Sequence, residues 1–367
     1  MGEVPRQGRS PRRPPSKEPS SGAETTFHLK DSAGIRRFPL LQWLRPPMPD
    51  ILPLRPGLWL TETAVEDFHV RGAVVAGSTL AVVWDTLARP AHMEGVAELA
   101  PEVPLTVVYS HGDWDHVWGT VGLSRPWTEV LAHEACLARF SGLLPGLPVQ
   151  PSSALAGPVG TPFQALAIQP ELPSTLEEKR KDFPGEYDDV VLVPPTRTFR
   201  DPIALDLGGI TLELHPFPGH TPDTVVGLIP EWGILLGGDA VESPLPFLNP
   251  GSPVKAWAKG LEDWARSLED WRAGGALQRP LSAEPTGRFP GGPPGTTTSL
   301  VVPSHGPVGG PDLLCHNARY LRALLEGKEP DLPPDLPPFY VQTHEANRTL
   351  VRQERDPPTP GPRDQLS

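Results

Sequence analysis

A strand-like apolar run at residues 105–109 stops at Ser-His-Gly-Asp-Trp-Asp-His, residues 110–116, which places four metal-capable side chains within six positions. This constrains the fold before anything else does. A short β-prone run that delivers polar groups from its C-terminal end is how α/β proteins build their sites. The spacing in turn constrains the chemistry. His111, Asp113 and Asp115 alternate, so an extended backbone turns them one way, while the adjacent His116 turns another. One loop can therefore serve two neighbouring cations.

The run resembles the His-x-His-x-Asp-His signature of the metallo-β-lactamase superfamily, with Asp113 where that signature has its second His. Three further landmarks follow in that family's order: Pro-Gly-His-Thr-Pro at 218–222, Gly-Ile-Leu-Leu-Gly-Gly-Asp-Ala at 233–240, and Val-Val-Pro-Ser-His-Gly at 301–306. Carried over residue by residue, the resemblance implies one metal held by His111, Asp113 and His220 and a second by Asp115, His116 and His305, with Asp239 shared. It also implies that Asp85, closing the strand-like run 80–84, supports the metal loop from behind. The likeness covers roughly residues 57–325.

What the resemblance implies is an α/β (α+β) fold, a four-layer αββα sandwich with the metals at one edge between the sheets. The cofactors would be two divalent cations, zinc being expected and manganese or iron the alternatives. They would lower the pKa of a shared water for attack on a substrate. Asp115 would also orient that water or relay a proton to the leaving group, which makes it the candidate catalytic residue. Asp113 departs from the signature. Three Asp ligands and one hydroxide would cancel two divalent cations, where the family pattern leaves plus one, so a less Lewis-acidic site tolerant of Mn²⁺ or Fe²⁺ is expected.

A chain of 367 residues accommodates one large catalytic domain with tails and inserts. Residues 1–26 and 355–367 are rich in Pro, Ser, Arg and Gly and read as disordered, with the catalytic domain over 27–326 and a Pro-rich segment plus docking helix over 327–354. The first 30 residues carry plus three, leaving minus fifteen of the total minus twelve on the rest. An acidic body argues for a small-molecule substrate and against nucleic acid as partner. No run reaches membrane-spanning length and no leader pattern is present, so a cytoplasmic protein without a membrane partner is expected. Cys136 and Cys315 stand far apart and read as reduced thiols.

Strands are expected at residues 57–62, 73–76, 80–84, 105–109, 128–133, 209–214, 224–229 and 233–236, and helices at 91–99 and 313–325. Val254, Trp257, Leu261, Trp264, Leu268 and Trp271 recur in steps of three and four, which is one buried helix face. Residues 144–196 form a Pro-rich interruption read as a lid over the pocket or a solvated insert, and a Gly/Pro-rich insert spans 276–298. Candidate substrate contacts are Trp118, beside the metal loop, and Tyr340 and His344, which share a face at i, i+4 of a short C-terminal helix. No nucleophile elbow is present, and Ser110 and Ser304 read as loop hydrogen-bonders. Two other functions remain open: a flavodiiron-like redox protein, suggested by a carboxylate at position 113, and a metal-binding interaction module without turnover.

Overall fold

A strand buried on both faces needs apolar residues at every position, and the runs at 81–84, 105–108 and 225–229 meet that demand. The computed structural model describes residues 28–31, 34–37, 49–140, 172–273 and 299–355. The expected tails, the 276–298 insert and residues 144–171 of the expected lid lie outside those residues. Two units separate. In Met1–Pro46, β1 (His28–Asp31) and β2 (Gly34–Arg37) pair antiparallel. All remaining elements belong to Pro47–Ser367.

The larger unit holds two sheets. The first runs in the order β3 (Asp50–Arg55), β4 (Leu58–Val65), β5 (Phe68–Ala76), β6 (Ala81–Trp84), β7 (Leu105–Val108), β8 (Glu129–His133), β9 (Arg197–Phe199). It is antiparallel as far as β6 and parallel from there on. The second runs β10 (Ile203–Asp206), β11 (Thr211–Pro216), β12 (Val225–Ile229), β13 (Ile234–Glu242), β14 (Leu300–His305), with only the last pair parallel.

Alternation along the strands builds three apolar layers. Leu58, Leu60, Val82, Trp84 and Val108 of the first sheet face Leu212, Leu214, Val225, Ile229 and Leu236 of the second. Their neighbours Val83, Val107 and Val130 point to the other face, where Trp118, Leu172, Leu176 and Tyr187 cover them. Outside the second sheet, Val226, Leu228 and Leu235 pack under α3 (Val254–Arg272), α4 (Pro311–Glu326) and α5 (Pro338–Arg355). The architecture is the expected αββα sandwich.

Differences from the expected elements have local causes. Residues 91–99 form two 3-10 turns, Pro90–Met93 and Ala97–Leu99, because Glu94 between them is extended. Part of the 144–196 interruption is α2 (Leu172–Asp182, with α1 the short turn Trp114–Val117), which buries Leu172 and Leu176. Lys179 of α2 lies 4.3 Å over the Trp114 ring and pairs with Glu66, so this helix docks against the metal loop's outer side. The C-terminal helix is longer than expected, covering 18 residues. No helix among the described residues is long and apolar enough to cross a membrane.

Candidate metal centre

The polar residues of the sequence landmarks come together at the C-terminal ends of β7, β11, β13 and β14. His111 to His116 follow β7, His220 follows β11, Asp239 lies within β13 and His305 ends β14. Asp239 reaches the cluster through an irregularity: the β13–β14 register shifts on both sides of Gly238, which has φ +52°. A Cβ at Gly238 would stand 3.0 Å from the Ser110 Cβ, so the bulge and its missing side chain let β13 close on the metal loop. Arg71 of β5 donates to the carbonyls of Pro303 (2.8 Å) and Gly306 (2.6 Å), fixing the turn that carries His305.

All four imidazoles are oriented in the same way. His111 Nδ1 donates to Ser110 Oγ (3.0 Å), whose own proton goes to Asp85 Oδ2 (2.7 Å). His116 Nδ1 donates to Asp85 Oδ2 (3.0 Å), His220 Nδ1 to the Phe247 carbonyl (2.8 Å), and His305 Nδ1 to the His69 carbonyl (2.7 Å). Each ring therefore presents Nε2 to a common centre, where three carboxylates meet it. Asp239 Oδ2 lies 3.6, 3.7 and 3.3 Å from Nε2 of His111, His220 and His305, and its Oδ1 lies 3.4 Å from His116. Asp115 Oδ2 stands 3.5 Å from His116 and 3.6 Å from His305. Asp113 Oδ2 stands 3.0 Å from His220 and 3.4 Å from His111.

This donor set fits cations. Atoms bound to a tetrahedral ion at about 2.0–2.1 Å lie about 3.3–3.4 Å from one another, and the separations found, from 3.0 to 3.7 Å, bracket that value. Most of these separations exceed a good hydrogen bond, and His111 Nε2, His116 Nε2 and Asp239 Oδ1 are buried without a hydrogen-bond partner. Two groups with no residue in common, His111–Asp113–His220 and Asp115–His116–His305, each offer donor atoms within 4.8 Å of one another, and Asp239 joins one residue of each, His111 and His116, in a third.

Electrostatics report the same concentration of charge. Burial works against the charged form of His220, but the Asp113 hydrogen bond and Asp239 lift it to about 10. His305, likewise opposed by burial, is lifted to about 9 by Asp239. Burial also pushes the Asp239 carboxyl up, yet His305, His116 and His111 hold it well below the usual carboxylate range. Without a cation, protons take its place.

Asp85 sits where expected, fully buried, accepting from Ser110 N–H (2.7 Å), Ser110 Oγ and His116. It holds this position with φ +58°, a left-handed conformation unusual outside glycine, at the end of β6. Tyr340 of α5 is half-buried beside Phe339 and the apolar layer under the helices, and burial, then the Glu242 and Asp239 carboxylates, raise its phenol pKa. The other two candidate substrate contacts are elsewhere. Trp118 is fully buried, its ring 5.3 Å from Trp114 and 5.6 Å from Tyr187, so packing leaves no face for a ligand. His344 is held between Tyr320 Oη (3.0 Å) and Glu329 (3.1 Å).

Three residues join the site without having been expected there. Glu242, three positions after Asp239, groups with His220 and Asp239, accepts from the Phe247 N–H (2.9 Å), and is raised to about 7 by burial and then Asp239. Asn249 donates to the His220 carbonyl (3.1 Å). Arg139 pairs with Asp113 Oδ1 at 2.7 Å. That guanidinium enters the charge balance that Asp113 changes, as does the buried carboxyl of Glu242. Position 242 lay just beyond the strand-like landmark, and no spacing pattern links 139 or 249 to the loop.

The model of the metallo-beta-lactamase superfamily matches residues 65–276, more than half of the chain. Solved structures similar to the chain include a metallo-beta-lactamase from Pontibacter korlensis, at 18% identity over 75% of this chain and 99% of that one with a TM-score of 0.46. Another is from Erythrobacter litoralis with beta-mercaptoethanol in its active site, at 16% identity over 75% and 98% with a TM-score of 0.43. A third is FIM-1 from Pseudomonas aeruginosa in its mono-zinc form, at 15% identity over 75% and 96% with a TM-score of 0.43. These likenesses are too distant to carry anything further. No curated protein matches the sequence.

Proposed function

The chain belongs to the metallo-beta-lactamase superfamily, and on that premise we propose that it is a metal-dependent hydrolase of a small ester, thioester or lactone, with phosphodiesters as the outer limit of the class. The observation that carries this reading is the shared orientation of four buried imidazoles, each tied back through Nδ1 and each presenting Nε2 to three carboxylates. His111, Asp113 and His220 would hold one divalent cation, Asp115, His116 and His305 a second, and Asp239, which faces all four rings, would be shared. Zinc is the ion we expect, with manganese or iron as alternatives. Such cations supply Lewis acidity, polarising a substrate carbonyl and bringing a water to its nucleophilic form near neutral pH.

The chain's own residues do the rest. Asp85 fixes the His116 tautomer, and Ser110 does the same for His111. Asp115, 3.5 Å from His116 and 3.6 Å from His305, would orient the attacking water and pass its proton to the leaving group. Tyr340, whose phenol is influenced by the Glu242 and Asp239 carboxylates, would bind the polar edge of a substrate. A small-molecule substrate suits an acidic chain better than nucleic acid does, and two free cysteines suit a cytoplasmic setting. The test is turnover of chromogenic carboxyl esters, thioesters, lactones and phosphodiesters before and after chelation. We expect one carboxyl class to be hydrolysed, lost on chelation and restored by Zn²⁺ or Mn²⁺. Hydrolysis indifferent to chelation, or bound iron with oxygen reduction and no hydrolysis, would remove the proposal.

A further inference from the structure

Position 113 departs from the family signature, and the structure supplies a partner for the departure. Arg139, buried in the 3-10 segment Glu134–Phe140 that follows β8, donates from Nε to the Gly112 carbonyl (3.0 Å) and from Nη2 to Asp113 Oδ1 (2.7 Å). Its stem lies along the metal loop: a Cβ at Gly112 would stand 2.6 Å from Arg139 Cγ, so the close approach requires glycine there. Asp113 is thereby divided between two tasks. Its Oδ1 belongs to the guanidinium, and its Oδ2 alone faces His220 and His111 Nε2.

We propose that Arg139 and Asp113 act as one unit, a carboxylate–guanidinium pair that replaces the neutral imidazole of the family signature and makes Arg139 the positioning residue of the first metal subsite. This rests on the metal-site reading above. Two consequences follow from charge and denticity. The pair sums to zero, as an imidazole does, so the subsite keeps the charge of a two-histidine-plus-imidazole set. Because Oδ1 is taken, Asp113 offers one oxygen instead of two, which keeps the subsite from becoming the oxygen-rich, chelating kind that favours Mn²⁺. Arginine suits the task because its planar fork binds a carboxylate and a neighbouring carbonyl together, which lysine cannot reproduce.

A double-substitution cycle with zinc and manganese titrations tests the unit, using a competing chromophoric chelator as readout. Asp113→His alone takes away the carboxylate that Arg139 Nη2 meets at 2.7 Å and sets a neutral ring beside the guanidinium, and we expect first-subsite zinc affinity to fall about tenfold or more. Asp113→His with Arg139→Met removes both charges and is expected to bring zinc affinity back to within about threefold of wild type. Arg139→Met alone frees both carboxylate oxygens and is expected to raise the manganese-to-zinc affinity ratio about tenfold or more. Zinc binding at Asp115–His116–His305, whose residues none of these substitutions changes, verifies in every variant that the fold persists. Additive effects of the two substitutions, with the metal preference unchanged in Arg139→Met, would overturn the inference. A wild-type protein that binds no metal at all would instead overturn the metal-site reading on which it depends.

Discussion

Each ligating atom we propose depends on the atom behind it. Asp85 is the clearest case, since a single carboxylate accepts three hydrogen bonds and by them orients His116 directly and His111 through Ser110. Asp85→Asn keeps a side chain that tolerates the left-handed backbone but leaves one acceptor oxygen where there were two. We expect zinc affinity to fall about 10- to 100-fold, read by competition with a chromophoric chelator. An unchanged affinity would mean that orientation of the two rings is set elsewhere. The metal-capable residues and Asp85 were legible because they are chemically distinctive and lie at the ends of apolar runs. Their partners were not. The acceptors for His220 and His305 are the carbonyls of Phe247 and His69, and a backbone carbonyl leaves no mark on sequence. Arg139 was hidden for a related reason: it stands 26 residues from Asp113 with no periodic relation to it.

At the scale of elements, α5 explains itself through Asn347. This fully buried side chain donates to the Pro246 carbonyl (2.7 Å) and accepts from the Leu248 N–H (3.0 Å), and between those two residues lies Phe247, whose carbonyl holds His220. The helix thus acts on the site through a loop, while His344, on the same face, completes a network with Tyr320. Asn347→Ala leaves buried backbone groups unpaired, and we expect a loss of about 1–3 kcal/mol in unfolding free energy, together with weaker metal binding at the subsite containing His220. Denaturant unfolding and metal titration check the two parts, and a change in neither would contradict the role given to α5. The helices α3 and α4 were legible in their apolar spacing, as were the central strands in their continuous runs. The edge strand β3 and the short β9 were not read, because neither shows a buried, periodic face: β3 is exposed or half-buried throughout without alternation, and β9 spans three residues.

Over the whole molecule, the cluster makes stability depend on pH and on metal together. In the metal-free protein His220 and His305 bind protons more tightly folded than unfolded, with folded values of about 10 and 9. Their contribution is complete below about 6.5, the unfolded value, and is lost as pH rises through 9 and 10. Asp113 behaves oppositely. Burial raises its pKa, but Arg139 and His111 hold it well below the usual range, so its contribution is present above about 3.9 and is lost on acidification. The metal-free protein should therefore melt highest between about pH 4 and 6.5, and excess zinc should move the optimum upward, since cations compete with those protons. A metal-free melting temperature that climbs from pH 7 to 10 would contradict this. The four-layer architecture was legible from its landmarks, whereas the substrate was not, because a fold of this kind specifies where chemistry happens more than what enters. The most direct test of the central claim is metal stoichiometry by equilibrium dialysis against zinc, for the wild type and for His220→Ala and His305→Ala. The account predicts two ions per chain in the wild type and the loss of one, from a different subsite, in each variant. A wild type that binds none, or variants that bind as many as the wild type, would contradict it.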